Sequence, residues 1–111
     1  ALGARPERIG VAIGPCIGKA SYEVGPDYRA RFEAEDPQAW TCFSNDAGAL
    51  RPRFDLAGYC RLRLTRAGVG RIDTLRQDTA AMPERYFSHR RSSRLADPRF
   101  GLQLSAITLT A

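Results

Sequence analysis

A run of apolar positions predicts a short strand near the start of the chain. Residues 8–13 form a β-branched and apolar run that is typical of a buried strand. The run ends at Gly14-Pro15, a pair that turns the backbone sharply. Residues 22–24 predict a second, shorter extended piece.

A helix is expected to begin at Pro26, since proline is accepted at the first helical position, where its missing N–H costs nothing. Tyr28 and Phe32 are four positions apart and should share one face of this helix. The helix should end before Asp36-Pro37, because the residue that precedes a proline is pushed out of helical geometry. Residues 38–52 show no period and predict a surface loop that carries Trp40 and Phe43.

A second helix is predicted after Asp55, a residue type favoured as N-cap. Apolar residues then recur at helical spacing and form an amphipathic stripe: Leu56, Tyr59, Cys60, Leu64 and Ala67. Gly68 is placed to terminate the helix. The interleaving of predicted helices and strands indicates a mixed α and β class.

The last third of the chain predicts strands and a loop. Residues 71–75 alternate as a strand does, 86–88 suggest another extended piece, and 104–109 a last strand. Residues 94–99 predict a polar loop between the last two. With 111 residues, the chain is long enough for one small domain.

The charge pattern favours a small anionic ligand. The formal net charge is +5, and Lys19 is the one lysine among 17 basic residues. A guanidinium group can grip phosphate or carboxylate at two points. The arginines are spread from Arg5 to Arg99, whereas a nucleic-acid binder usually clusters them, so nucleic acid is not an expected partner. No apolar run of membrane-spanning length occurs, and no membrane partner is expected.

The cysteines predict neither disulfides nor a zinc site. Cys16, Cys42 and Cys60 are odd in number and lack the CxxC spacing. Free cysteines are typical of a reducing compartment, so a cytoplasmic location is expected. With the single histidine His89, the segment cannot supply a histidine-rich metal site by itself.

Two segments could carry chemistry. Gly14 and Gly18 flank Cys16 on a tight turn, where backbone N–H groups can bind an anion. Cys16 is either a ligand-contacting or nucleophilic thiol or a small buried hydrophobe. Farther along, the pair Arg90 and Arg91 comes after the predicted extended piece at 86–88, and paired arginines at the end of a strand suit phosphate or carboxylate recognition.

The alternative for the second segment is an exposed basic turn. His89, which precedes the two arginines, is either a general acid or base near neutral pH or a structural residue. The carboxylates of the chain offer no convincing catalytic pair.

The chain resembles a known family. The stretch Ile13-Gly14-Pro15-Cys16-Ile17-Gly18, followed by Ser21-Tyr22-Glu23-Val24-Gly25, is similar to the signature of the YfiH family of laccase-domain proteins. Later motifs agree in order: Phe54-Asp55-Leu56, Ala67-Gly68-Val69, Arg76-Gln77-Asp78-Thr79, Tyr86-Phe87-Ser88-His89-Arg90-Arg91 and Gly101-Leu102-Gln103-Leu104-Ser105-Ala106-Ile107. The resemblance implies an α+β fold of mixed β-sheets flanked by helices. Residues 1–111 would be a single partial domain, the C-terminal half of a larger domain.

The resemblance also implies an activity. The family is described as purine nucleoside phosphorylase, which cuts the nucleoside with inorganic phosphate, and adenosine deamination and methylthioadenosine phosphorolysis are attributed to it as well. The expected partners are therefore a small-molecule nucleoside and phosphate, and the oligomeric state stays open, with a monomer as one option. The alternative function is a copper-dependent polyphenol oxidase of the laccase kind.

The metal of the family is zinc or copper, held by two histidines and one cysteine. Those ligands precede the glycine-proline-cysteine motif in the family, so none is expected in this chain, and Cys16 is not one of them. The residues left as candidates for substrate or phosphate binding are Cys16, Tyr22, Arg90 and Arg91, with the catalytic residues unknown. The chain departs from the family at His89 (usually Tyr), Ala80 (often Cys or aromatic) and Leu102 (commonly Arg), which leaves the substrate detail open.

Overall fold

The structure is a computed structural model that describes residues 3–45, 50–96 and 101–110. Four strands and three α-helices follow one another along the described chain: β1 (Gly10–Ile13), α1 (Pro26–Glu35), β2 (Phe43–Ser44), β3 (Arg53–Phe54), α2 (Leu56–Arg66), β4 (Arg71–Thr74) and α3 (His89–Arg94). Short 3-10 helices cover Pro6–Arg8, Lys19–Ser21 and Pro37–Cys42.

Two small sheets organise these elements. Strands β1 and β4 are parallel, with Val11 opposite Ile72. The pairing continues beyond the strands as an isolated bridge between Cys16 and Asp78. Strands β2 and β3 are antiparallel, with Phe43 opposite Phe54. The fold is therefore α+β, with mixed sheets and helices, as the sequence predicts.

Both long helices begin and end where local chemistry predicts. Pro26 is the first residue of α1, which stops at Glu35. The carboxylate of Asp55 caps α2 by accepting a hydrogen bond from the Gly58 N–H at 2.9 Å. Gly68 follows the end of α2 with a φ of 85°, a backbone conformation that residues with a side chain rarely adopt.

The hydrophobic core lies between α1, α2 and the antiparallel pair of strands. Phe54 is fully buried at its centre, and its ring stacks on Phe43 with centroids 4.7 Å apart. Phe32 contacts Phe54 from α1 at 5.0 Å, and the predicted pair Tyr28–Phe32 shares a face at 4.9 Å. Leu56 and Tyr59 of the predicted stripe pack against this core together with Leu62, whereas Ala67 is exposed.

A buried carboxylate joins the ends of the two long helices. Asp36 accepts hydrogen bonds from both terminal nitrogens of Arg66, from the Gln38 N–H and from the Tyr59 hydroxyl. The hydrogen bonds from Arg66 are the main cause of the lowered pKa of Asp36, and Asp36 in turn raises the pKa of Arg66. Arg66 thereby fixes the end of α2 to the turn that follows α1.

The predicted surface loop over residues 38–52 was wrong for its first part. Trp40 is 60% exposed, as predicted, but Phe43 is buried in the core. The 3-10 helix Pro37–Cys42 and strand β2 occupy this region. Elements of six and two residues are too short to show a period, so their burial is set by contacts with distant residues. Residues 46–49 lie outside the described residues.

The strand predictions were correct near the start of the chain and wrong near its end. Strand β1 lies within 8–13, but its residues alternate between exposed and half-buried instead of being buried. Residues 71–75 contain β4, and the predicted piece at 22–24 forms one bridge, from Glu23 to Arg53.

Residues 86–88 and 104–109 form no strand, because an extended segment becomes a strand only where a neighbouring strand offers hydrogen bonds. The polar loop predicted over 94–99 begins at residue 95 in the structure, because Arg94 is the last residue of α3. Its residues 97–99 lie outside the described residues.

Candidate functional site

The turn after β1 is closed by a carboxylate from the turn after β4. The Ser21 hydroxyl and the N–H groups of Gly18, Ala80 and Ala81 all donate to Asp78. Partial burial alone would raise the pKa of the Asp78 carboxyl, but these hydrogen bonds lower it below its ordinary value.

Gly18 is required at this contact. A β-carbon built on Gly18 would lie 2.7 Å from an Asp78 carboxylate oxygen and 2.9 Å from the Asp78 β-carbon, so a larger residue would push the two turns apart. The Thr79 N–H also donates to the Cys16 carbonyl at 3.0 Å. The turn that carries Cys16 is therefore fixed by several bonds to residues 78–81.

Cys16 lies in a cavity of about 510 Å³ at the ends of β1 and β4. Asp55, Arg61 and Asp78 line the same cavity. Burial, followed by the nearby charges of Cys60, Asp55 and Asp78, raises the pKa of the Cys16 thiol. A thiol with a raised pKa is protonated at neutral pH, so the surroundings do not activate Cys16 as a nucleophile.

Tyr22 and Arg90 meet at a second cavity of about 450 Å³. The Arg90 guanidinium lies over the Tyr22 ring, 5.1 Å from its centroid, and donates to the Glu23 carbonyl at 2.8 Å. The Tyr22 ring is itself held by Phe54 at 5.8 Å and by Tyr28 at 6.3 Å. Arg90 is thus pre-positioned by a ring and a carbonyl, with further N–H donors left for a ligand.

The remaining walls of the second cavity combine ring, apolar and polar groups. They are Pro15, Ile17, Thr79, Phe87, Ser88, His89, Gly101, Leu102, Gln103 and Ser105. Phe87 is 56% exposed although its ring is large and apolar. Ile17 lines both cavities, so the segment that carries Cys16 separates them. The cavity offers stacking surfaces beside a fixed positive charge.

Arg91 has a different environment from Arg90. Its guanidinium donates to the backbone carbonyls of Thr79 at 2.8 Å, Ala80 at 3.3 Å and Tyr86 at 2.6 Å. These bonds tie the turn at residues 78–81 to the start of α3. Both arginines lie in the first turn of α3, which Ser88 caps, instead of at the end of a strand as predicted. The Ser88 hydroxyl accepts a hydrogen bond from the Arg91 N–H and so stabilises the start of this helix.

Substitution of Arg91 by alanine is expected to destabilise the folded protein by about 1.5–3 kcal/mol, because three carbonyls lose a charged donor. Thermal unfolding of Arg91→Ala and of Arg63→Ala, an exposed arginine on α2, provides the comparison. A fall in the unfolding midpoint of Arg91→Ala alone is the expected result. Equal midpoints for the two variants would contradict this role.

The three departures from the family pattern lie close to these features. His89 is exposed and lines the second cavity, as does Leu102, which is 81% exposed. Ala80 donates its N–H to Asp78 and accepts from Arg91 through its carbonyl. His89 and Leu102 can therefore contact a ligand in the second cavity. Ala80 lies in the turn at residues 78–81, which Arg91 binds.

Of the four predicted binding residues, the structure brings Tyr22 and Arg90 together. Cys16 lines the other cavity, and the guanidinium of Arg91 is occupied by backbone carbonyls. Asp78 and Gln103, both quoted among the sequence motifs, were not singled out as site residues. Their role depends on contacts across the fold, and the polar residue type alone gave no signal of it.

The described residues do not by themselves fit a metal ion. Within 3–45, 50–96 and 101–110, no three histidine, cysteine, aspartate or glutamate side chains cluster closely enough to hold one.

Over the same residues, no helix has the length and apolar character needed to span a bilayer.

The order of the motifs and the α+β fold agree with a laccase-domain protein, and comparison with known proteins confirms that class. The family model described as multi-copper polyphenol oxidoreductase laccase matches residues 1–110, and the chain belongs to this family. It is 36% identical over 97 residues to a purine nucleoside phosphorylase of Rickettsia conorii, covering 87% of this chain and 40% of that protein. It is 46% identical over 69 residues to a purine nucleoside phosphorylase of Deinococcus radiodurans, covering 62% of this chain and 26% of that protein.

A solved structure has the same fold. The crystal structure of the Neisseria meningitidis protein NMB0706 matches with a TM-score of 0.74 and 31% sequence identity, over 81% of this chain and 37% of that one. The chain thus spans at most 40% of the length of these three proteins. The similarity confirms the family resemblance and the fold class predicted from the sequence.

Proposed function

We propose that this chain is the C-terminal part, one partial domain, of a purine nucleoside phosphorylase, and that its second cavity binds nucleoside and phosphate. The observation that carries the proposal is the Arg90 guanidinium held over the Tyr22 ring at the wall of that cavity. The similarity to proteins named purine nucleoside phosphorylase supports the same activity.

The chemistry needs an anion site next to a surface for a flat base. In phosphorolysis, a phosphate oxygen forms a bond to the sugar carbon while the bond from that carbon to the base nitrogen breaks. The electron pair goes to the base, which takes up a proton. Arg90 would neutralise phosphate and hold it in line with the sugar.

The other walls of the cavity supply the remaining contacts. The exposed Phe87 ring would stack on the base. His89 lines the same cavity, and its imidazole is our candidate for protonating the departing base. Within the proposal, Tyr22 acts by positioning Arg90, and Cys16 contributes to the adjacent cavity.

Further properties of the family extend the proposal. Adenosine deamination and methylthioadenosine phosphorolysis are activities to assay beside phosphorolysis, and zinc or copper would be bound by residues outside this chain. A cytoplasmic location belongs to the same proposal, and the oligomeric state stays open, with a monomer as one option. The match to a family of multi-copper polyphenol oxidoreductases motivates one alternative, a copper-dependent polyphenol oxidase. Oxygen uptake with a phenolic substrate and stoichiometric copper, without phosphate-dependent base release, would favour that alternative.

The direct test uses the full-length protein with inosine. Release of hypoxanthine that requires inorganic phosphate is the expected result, and release at the same rate without phosphate would contradict phosphorolysis. Arg90→Gln is expected to weaken phosphate binding by about 1.5–3 kcal/mol, since a charge-assisted hydrogen bond is lost.

The matched control for Arg90→Gln is Arg63→Gln, which removes the same charge from an exposed position on α2. The KM for phosphate should rise in the first variant and stay unchanged in the second. Equal kinetics in both variants would place the phosphate elsewhere.

A further inference from the structure

The amide of Gln103 has a fixed orientation at the second cavity. Its oxygen, Oε1, accepts a hydrogen bond from the Phe87 backbone N–H at 2.8 Å. A backbone N–H can only donate, so the amide oxygen must face Phe87 and the amide nitrogen must be on the other side. Over the described residues, Nε2 makes no hydrogen bond within the protein. At the cavity wall, Gln103 therefore presents two N–H donors for a ligand.

The Phe87 ring, next to this amide, is covered on one side by Gly101 and remains partly exposed. A β-carbon built on Gly101 would lie 2.7 Å from three atoms of the Phe87 ring, so the Gly101 backbone is pressed against that ring. The ring is nevertheless 56% exposed, and it lines the cavity. Because Phe87 and Gln103 line the same cavity and are joined by this hydrogen bond, we expect the edge of a base stacked on the Phe87 ring to lie within reach of the Gln103 amide.

From this arrangement we propose that Gln103 determines base specificity and favours 6-oxopurine nucleosides over 6-aminopurine nucleosides. The inference rests on the proposed phosphorolysis and names the substrate class for that site. An oxygen at position 6 accepts a hydrogen bond, as does the ring nitrogen N7, so a pair of N–H donors matches both. Adenine also accepts at N7, but its amino group donates at position 6. One N–H of Gln103 would then face an N–H of the adenine amino group, and these two donors would both be left unpaired.

The charge distribution agrees with this assignment. Arg90 provides the positive charge of the cavity and is bound to Tyr22 and the Glu23 carbonyl, on the side of residues 22–23. Gln103 is bound to Phe87, in the segment just before α3. The phosphate group and the base edge are thus assigned to different residues, as a reaction with two substrates requires. Gln103 contacts the base in this proposal and takes no part in the transfer step.

The test compares kcat/KM for inosine and adenosine in the full-length protein at saturating phosphate. The wild type is expected to favour inosine by about tenfold, the size of one exposed hydrogen bond. In Gln103→Glu, one carboxylate oxygen can still accept from Phe87 while the other accepts from the adenine amino group. The ratio of the two kcat/KM values should therefore shift about tenfold towards adenosine.

The ratio of kcat/KM for inosine to kcat/KM for adenosine reports specificity alone, because a purely structural defect lowers the activity on both nucleosides together. Gln38→Glu, the same substitution on an exposed residue near the ends of α1 and α2, should leave the ratio unchanged. If Gln103→Glu loses both activities, competition by hypoxanthine and adenine on the wild-type protein replaces it, with hypoxanthine expected to bind about tenfold more tightly.

The outcomes separate the two proposals. Phosphate-dependent base release with an unchanged ratio in Gln103→Glu, or equal binding of the two free bases, would overturn the role of Gln103 and leave the proposed function standing. Absence of phosphate-dependent release from any nucleoside would overturn the proposed function, and the role of Gln103 with it.

Discussion

Replacement of Phe54 by alanine is expected to lower the free energy of unfolding by about 3–5 kcal/mol, the largest effect of any substitution considered. Phe54 is fully buried. Its ring contacts the rings of Tyr22, Tyr28, Phe32, Phe43 and Tyr59 at centroid distances from 4.7 to 5.9 Å. Alanine would leave a cavity where strand β3 meets α1 and α2, and the surrounding rings could close it only in part.

The measurement is urea unfolding of the wild type and of Phe54→Ala. Trp40→Ala serves as the control, since it removes a larger ring from a position that is 60% exposed. The control should change the free energy of unfolding by about 1 kcal/mol or less. A loss of under 1 kcal/mol in Phe54→Ala would show that the core does not depend on this ring.

Phe54→Ala is also expected to reduce phosphate binding. Phe54 holds the Tyr22 ring, and the Tyr22 ring holds Arg90. A core substitution would therefore loosen the anion site through Tyr22 even in protein that remains folded. The same is not expected of Trp40→Ala.

The second large effect is expected for Asp78→Asn, with a loss of about 2–4 kcal/mol at neutral pH. An asparagine has one acceptor oxygen in place of two, so some of the donors from Ser21, Gly18, Ala80 and Ala81 would be left without a partner. The two turns that flank the cavities would then separate more easily.

The pH dependence of this loss has a definite sign. Because the pKa of Asp78 is lower in the folded state than its ordinary value of 3.8, the charged carboxylate stabilises the folded state above that value. Its contribution should disappear as the pH falls through the still lower pKa of the folded state. The difference in stability between wild type and Asp78→Asn should thus be full above about pH 5 and should shrink as the pH falls below about 4.

Chemical unfolding across this pH range measures the difference directly. Asp73→Asn is a suitable control, because the Asp73 side chain is 63% exposed and pairs with Arg71 on the surface at 3.0 Å. A surface ion pair contributes little, so this variant should follow the wild type closely at every pH. A difference for Asp78→Asn that did not change with pH would show that the carboxylate charge has no part in holding the turns.

Features decided by neighbouring residues were predictable from the sequence. Pro26 and Asp55 start the two long helices because a proline ring and a short carboxylate suit a helix N-terminus. Gly68 follows the second helix because its backbone has a positive φ. The motif order around Cys16 and Arg90 was sufficient to identify the family that the comparisons confirmed.

Features decided by distant residues were not predictable. Phe43 was expected on a surface loop, but its two-residue strand is buried because Phe54 pairs with it. Residues 104–109 were expected to form a last strand but have no strand partner among the described residues. Arg90 and Arg91 are identical in type and adjacent in sequence, so no local pattern could show that one faces a cavity and the other binds three carbonyls.

By itself, the sequence determined the boundaries of α1 and α2, the mixed class and the family, because capping, turn and motif preferences act over a few neighbouring residues. The tertiary structure decided which side chains share a cavity. Arg90 reaches the Glu23 carbonyl across 67 positions of the chain, and Gln103 reaches the Phe87 N–H across 16. The physical reason is that hydrogen bonds and ring contacts depend on distance in space, which separation along the chain does not reveal.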